Sequence, residues 1–148
     1  MKILVDADAC PKNVLNIIIE LQDEYLFKLV TVSSFKHNIS LPEHVMVDDE
    51  PQAADMAIVN RTTKGDIVVT GDWGLASLVL GKGASAISPS GYIYKQGKIE
   101  FMLEERHIKA KIRRGGGRTR GPAARSANDD ENFKRSLIKL MERCKDKI

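Results

Sequence analysis

Five short apolar runs, separated by stretches long enough for a helix or a returning loop, set the fold class of this chain. They are Ile3-Leu4-Val5, Leu29-Val30-Thr31-Val32, Val45-Met46-Val47, Ile67-Val68-Val69-Thr70 and Ala84 to Ile87. Runs this short and rich in β-branched residues read as buried strands. Helix patterns alternate with them. Pro11 stands where a first helix begins, since its missing N–H costs nothing in the first turn. Val14, Leu15, Ile17, Ile18, Ile19 and Leu21 make that helix apolar on most sides. Pro51 opens a second helix, through roughly Arg61. Leu75, Leu78 and Val79 mark one side of a third, ended by Gly81 or Gly83. Strands and helices alternating at this spacing predict βαβ units and a mainly parallel sheet between two helical layers.

Two of the strands run straight into aspartate. Ile3-Leu4-Val5 ends at Asp6-Ala7-Asp8, and Ile67-Val68-Val69 leads into Thr70-Gly71-Asp72. In a parallel sheet the carboxyl ends of the strands share one edge, and ligands bind there. Asp55 falls between them in sequence, in the second helix, flanked by Ala53, Ala54, Met56 and Ala57.

The rest of the chain is read more coarsely. Phe35 to Glu43 reads as a loop, Tyr92-Ile93-Tyr94 as an edge strand, and Ile99 to Ile112 as an amphipathic helix. Residues 113–127 hold Gly115-Gly116-Gly117, Gly121 and Pro122 among many charges, and read as a mobile segment. A last helix follows, with Asn128 and Glu131 at capping-box spacing. Phe133, Leu137, Leu140, Met141 and Cys144 recur on its docking face. The organisation predicted is an α/β domain over 1–112, a basic glycine-rich segment over 113–127, and a helix over 128–148 packed on the same domain.

Charge is divided unevenly along the chain. Residues 106–125 carry Arg106, Lys109, Lys111, Arg113, Arg114, Arg118, Arg120 and Arg125 and no acid, although the net charge is only +3. The acids collect in 43–72 and again at 129–131. This pattern suits a protein that holds a cation in one place and a polyanion in another. The start of the chain enters a strand pattern directly, with no signal-peptide core, and no run of 18 apolar residues exists. The expectation is a cytoplasmic protein without a membrane partner.

Mg²⁺ and Mn²⁺ take oxygen ligands, and carboxylates from separate elements can gather to hold them. Asp6, Asp8, Asp55 and Asp72 are the candidates. Asp6 and Asp8 lie two apart and share a side if the chain there is extended. Asp8 and Asp72 also fit the simpler role of helix caps, and Asp55 that of a solvated surface acid. Asp48, Asp49 and Glu50 read as solvated charge, and Asp66 as a turn residue. The other nucleophiles and ligands lack context. His37, His44 and His107 are scattered, Cys10 reads as a small buried residue, and Ser33, Ser34, Ser88 and Ser90 lie in no nucleophile elbow.

These residues resemble a known family. Val5-Asp6-Ala7-Asp8-Ala9-Cys10-Pro11, Ala54-Asp55 before Ile58-Val59, Asp66 to Asp72 with Leu75-Ala76, and Gly83-Ala84 leading to Pro89-Ser90-Gly91 resemble the uncharacterised bacterial YaiI/YqxD family. The likeness extends over nearly the whole chain, including Arg114 to Gly117, Gly121-Pro122, Asp130 and Phe133. That family is in turn similar to PIN-like domains, which are metal-dependent nucleases with a parallel sheet and clustered acids. The resemblance implies a three-layer α/β/α PIN-like fold. It matches Asp6 to the acid after the first strand, Asp55 to the helical acid and Asp72 to the acid of the Thr-x-Asp motif. Asp8 has no general PIN counterpart. A further acid, found shortly after that motif in PIN nucleases, is absent here, since Trp73 to Gly83 contains neither Asp nor Glu.

The expected function is a Mg²⁺- or Mn²⁺-dependent nuclease acting on RNA in preference to DNA. Asp6, Asp55 and Asp72 would hold metal with Asp8 assisting, and Arg113, Arg114, Arg118 and Arg120 would contact phosphates. The alternatives are a nucleic-acid-binding protein without turnover and an α/β protein that binds small phosphates or nucleotides.

Overall fold

The computed structural model describes residues 1–34, 43–48, 50, 52–97 and 125–146, with side chains through 143. Its elements run β1 (Lys2–Asp6), a short 3₁₀ turn (Ala7–Ala9), α1 (Lys12–Glu24), β2 (Lys28–Ser34), β3 (His44–Val47), α2 (Ala53–Arg61), β4 (Ile67–Val69), α3 (Trp73–Gly81), β5 (Ser85–Ile87) and α4 (Ala127–Asp146).

All five strands are parallel, in the order β3-β2-β1-β4-β5. The chain lays down β1 in the middle, builds outward through β2 to β3, then returns to place β4 on the other side of β1. The strand order therefore reverses between β1 and β4. Helices leaving the adjoining strand ends there diverge to opposite faces, which opens a crevice at the carboxyl edge.

Alternation along the strands divides the core. Ile3 and Val5 of β1, Ile67 and Val69 of β4, and Ile87 of β5 pack against Val14, Ile18 and Leu21 of α1 and Phe133, Leu137, Leu140 and Met141 of α4. Leu4, Val30, Val32, Val68 and Ala86 point the other way, onto Ala57 and Ile58 of α2 and Leu75, Ala76 and Val79 of α3. The result is the three-layer α/β/α arrangement expected of a PIN-like fold, with every strand wholly parallel rather than mainly so among the described residues. Phe133 is fully buried. Truncating such a ring to Ala costs about 3–5 kcal/mol, so α4 is an integral part of the domain's core.

Local expectations are revised in three places. Leu78 lies on the open side of α3 and is 55% exposed, because Ala76 takes the inward position beside Leu75 and Val79. Tyr92 to Tyr94 is no strand; Ile93 makes a single antiparallel bridge to Ile87 and the chain turns away. α4 starts before Asn128. The Asp129 carboxylate accepts the Ser126 N–H at 2.9 Å, so the capping pair is Ser126 with Asp129 rather than Asn128 with Glu131. The end of α3 is as expected: the helix runs through Gly81, and Gly83 takes the left-handed conformation (φ +86°) that closes it. The loop expected after Phe35, the helix expected over Ile99 to Ile112 and the basic segment up to residue 124 lie outside the described residues. No helix among the described residues is long and apolar enough to cross a membrane.

Candidate functional site

Asp6 is the last residue of β1, directly beside the point where the strand order reverses. Thr70-Gly71-Asp72 leaves β4, the neighbouring strand, at the same edge. Asp55 sits in the first turn of α2, half-buried. Asp8 is in the 3₁₀ turn that follows β1. The fold thus directs four carboxylates from β1, the 3₁₀ turn, α2 and the β4–α3 junction toward one edge.

Their electrostatics record the convergence. The Asp6 carboxyl is pushed up to about 6 by burial and then by the neighbouring charge of Asp55; Asp8 and Asp72 push the same way, and a hydrogen bond from Thr70 opposes them. Asp55 is raised as well, by burial and by Asp72. A divalent ion placed beside Asp6 and Asp55 would oppose both shifts. The donor set consists of hard oxygens, which fits Mg²⁺ or Mn²⁺. Among the described residues, however, no three His, Cys, Asp or Glu side chains already stand together as an ion-holding group.

Two of the four acids have other partners. Asp72 caps α3: its carboxylate accepts the N–H of Gly74 at 2.8 Å and of Leu75 at 3.2 Å. Asp8 accepts the Ser34 N–H at 2.9 Å and its hydroxyl at 3.4 Å, which ties the 3₁₀ turn to the end of β2. Because residues 7–9 coil into that turn, Asp8 is not the extended neighbour of Asp6 that their two-residue spacing predicted. Asp72 is thus the N-cap of α3, as one of its two sequence readings expected.

The sequence reading overlooked Thr70. Its hydroxyl donates to Asp6 at 3.4 Å and accepts the Asp72 N–H at 3.0 Å, so one buried side chain holds the Asp6 carboxylate and the Asp72 backbone. The Tyr94 hydroxyl donates to the Thr70 carbonyl at 3.0 Å and fixes the same residue from the other side. A threonine ending a strand before Gly-Asp was the available signal.

Other candidates resolve into structural roles. Cys10 is half-buried, and burial pushes its thiol up to about 12 despite the nearby Arg125, so it is a neutral thiol. His44 on β3 is held between the hydroxyls of Thr31 at 2.6 Å and Ser33 at 2.8 Å. Asp66 lies at the opposite, amino edge of the sheet, where it pairs with Lys2 at 2.8 Å and accepts the Thr63 N–H at 2.9 Å. Asp48 and Glu50 are exposed. Asp49, His37, His107, the Cys144 side chain and the predicted phosphate contacts Arg113, Arg114, Arg118 and Arg120 lie outside the described residues. Arg125, the last cation of the basic run, is tied back to the domain: it pairs with Asp130 and donates to the Pro89 carbonyl at 2.8 Å.

The uncharacterised YaiI/YqxD family model matches residues 4–143, a span that contains all four edge carboxylates. The chain belongs to the YaiI/YqxD family. Among its relatives is a UPF0178 protein of Heliobacterium modesticaldum, 44% identical over 141 residues, covering 95% of this chain and 97% of the relative. A UPF0178 protein of Clostridium tetani is 44% identical over 147 residues, with 98% and 99% covered. One from Alkaliphilus metalliredigens is 40% identical over 144 residues, with 97% and 93% covered. No solved structure matches the chain.

Proposed function

We propose that this YaiI/YqxD protein is a divalent-metal-dependent nuclease of PIN-like type that acts on RNA. The observation that carries the reading is the position of Asp6 at the carboxyl edge, where the strand order reverses, within electrostatic reach of Asp55, Asp8 and Asp72. Asp6, Asp55 and Asp72 would hold Mg²⁺ or Mn²⁺. When bound, the ion supplies charge neutralisation at the leaving oxygen and a more acidic water. Thr70 holds Asp6 and the Asp72 backbone in register. Asp8, braced by Ser34, orients the attacking water. The arginines 113, 114, 118 and 120 would bind substrate phosphates, and their number favours a polymer over a small phosphate.

A second reading has its own support. Asp8 and Asp72 already satisfy backbone N–H groups, and Trp73 to Gly83 offers no further acid. A nucleic-acid-binding protein without turnover fits these facts. Cleavage assays on mixed RNA and DNA, with Mn²⁺ or with EDTA, separate the two. The nuclease reading expects Mn²⁺-dependent loss of RNA that Asp6→Asn abolishes. Retention of RNA on the protein with no cleavage in Mn²⁺ or Mg²⁺ would leave the binding protein standing, and failure to bind either polymer would return the small-phosphate reading.

A further inference from the structure

A cleft of about 360 Å³ opens beside the acidic edge, lined by Gly71, Trp73, Ser88, Ser90, Tyr92 and Arg125 among others. Gly71 and Trp73 flank Asp72 in sequence, so the cleft and the carboxylates share the β4–α3 junction. Its size falls in the range of small-ligand sites.

The cleft is built around three aromatic rings. Tyr94 is 3% exposed and is anchored through its hydroxyl to the Thr70 carbonyl. Trp73 packs edge-on against it with centroids 4.6 Å apart, and Tyr92 lies 5.4 Å from both. Such pairs hold one another in place. Tyr92 nevertheless remains 36% exposed, and Trp73 is only half-buried.

The loop that carries Tyr92 is also fixed. Its Tyr92 N–H donates to the Ser88 hydroxyl at 3.0 Å, which in turn meets the Ser90 hydroxyl at 3.0 Å. Gly91 has φ +94° and presses on α4 so closely that a Cβ would lie 2.6 Å from the Asn132 carbonyl carbon. The aromatic wall is thus set before any ligand arrives.

The charges choose the occupant. Among the described lining residues the one cation, Arg125, is already paired with Asp130, and Asp129 also lines the cleft. A free anion gains little here, whereas a flat, uncharged ring with polar edges gains aromatic contact and hydroxyl partners. We infer that this cleft is a nucleobase subsite, which seats one base of a single-stranded RNA against Trp73 and Tyr92 while the adjoining phosphodiester lies at the acidic edge. The inference rests on the reading of that edge as a nucleic-acid site. Stacking on an aromatic side chain contributes roughly tenfold or more in affinity per base and tolerates every base.

Trp73 is the only tryptophan in the chain, so all tryptophan emission comes from a residue that lines this cleft. The test titrates the full-length protein in EDTA with a short single-stranded RNA and with an abasic strand of equal length, following Trp73 emission and, with labelled strands, anisotropy. Saturable quenching by the RNA and not by the abasic strand is the expected result. Tyr92→Ala should weaken RNA binding roughly tenfold with the abasic strand unaffected, and Tyr92→Phe should restore it. RNA that binds with no change in Trp73 emission, equal quenching by the abasic strand, or no binding at all would overturn the subsite. Because no metal is present, base-dependent quenching without Mn²⁺-dependent cleavage would sink the nuclease and keep the subsite; cleavage without it would do the reverse.

Discussion

The Thr70 hydroxyl reaches the Asp6 carboxylate at 3.4 Å across the β1–β4 pair. That hydrogen bond works against burial and three neighbouring carboxylates. Thr70→Val keeps the shape and removes the donor. The Asp6 carboxyl, followed by carbon-detected NMR titration, should then rise further above about 6. An unmoved titration would mean that Thr70 serves only Asp72.

Asp6 carries charge at a cost to the metal-free fold. Its folded value of about 6 lies above the ordinary 3.8. Between those values the folded state binds the proton more tightly, so native stability rises as pH falls from about 6 toward 4. Asp6→Asn should therefore stabilise the protein in EDTA at neutral pH, by about 1–2 kcal/mol once solvent screening is allowed for. The gain should fade by about pH 4. Thermal melts across that range would show it, and a destabilised variant would refute the repulsion.

Asp72 has two roles that substitution can separate. Asn accepts the same N–H groups at a helix start, and Ala does not. Asp72→Ala should lose about 1 kcal/mol of stability in EDTA, while Asp72→Asn stays close to wild type. Both should weaken Mn²⁺ binding by calorimetry if Asp72 is a ligand. Full Mn²⁺ affinity in Asp72→Asn would assign the residue to the cap alone.

Asp66 should set the acid limit of the fold. Burial alone would raise it, but the Lys2 ammonium, the Thr63 and Lys2 N–H groups and the Thr63 hydroxyl together hold it below the ordinary value. Its contribution is complete above the unfolded value near 3.9 and is lost as pH falls through the lower folded one. Urea melts should show Asp66→Asn destabilised at pH 6, with the gap to wild type closing at strongly acidic pH. A gap that persists there would point to lost packing rather than lost charge.

The basic run should report itself through salt. Replacing Arg113, Arg114, Arg118 and Arg120 by Ala should weaken RNA binding and flatten the slope of log affinity against log salt by up to about 3, at roughly 0.7 per contact on a single strand. Filter binding over a salt series measures this. An unchanged slope would leave those arginines as solvated charge.

Much of this architecture was legible in the residues themselves. β1 and β4 are so short and so uniformly apolar that only strands covered on both faces satisfy them, and the helix-length intervals then impose parallel pairing. Asp6 and Asp72 were locatable at once, because Asp6 ends one such strand and Asp72 comes three residues after the other. What the sequence could not decide is what each side chain meets. Asp8 looked like a companion of Asp6 until the 3₁₀ turn carried it to Ser34, 26 residues away in sequence. Thr70 became the hinge of the site only when β4 settled beside β1. Trp73, Tyr92 and Tyr94 became one aromatic wall only because the 88–94 loop is pressed onto α4 at Gly91. Strand and helix identity follow from local periodicity, which a chain carries along its length; hydrogen-bond partners and shared clefts depend on distances through space between residues far apart in sequence, and those are fixed only when the two core layers close on the sheet.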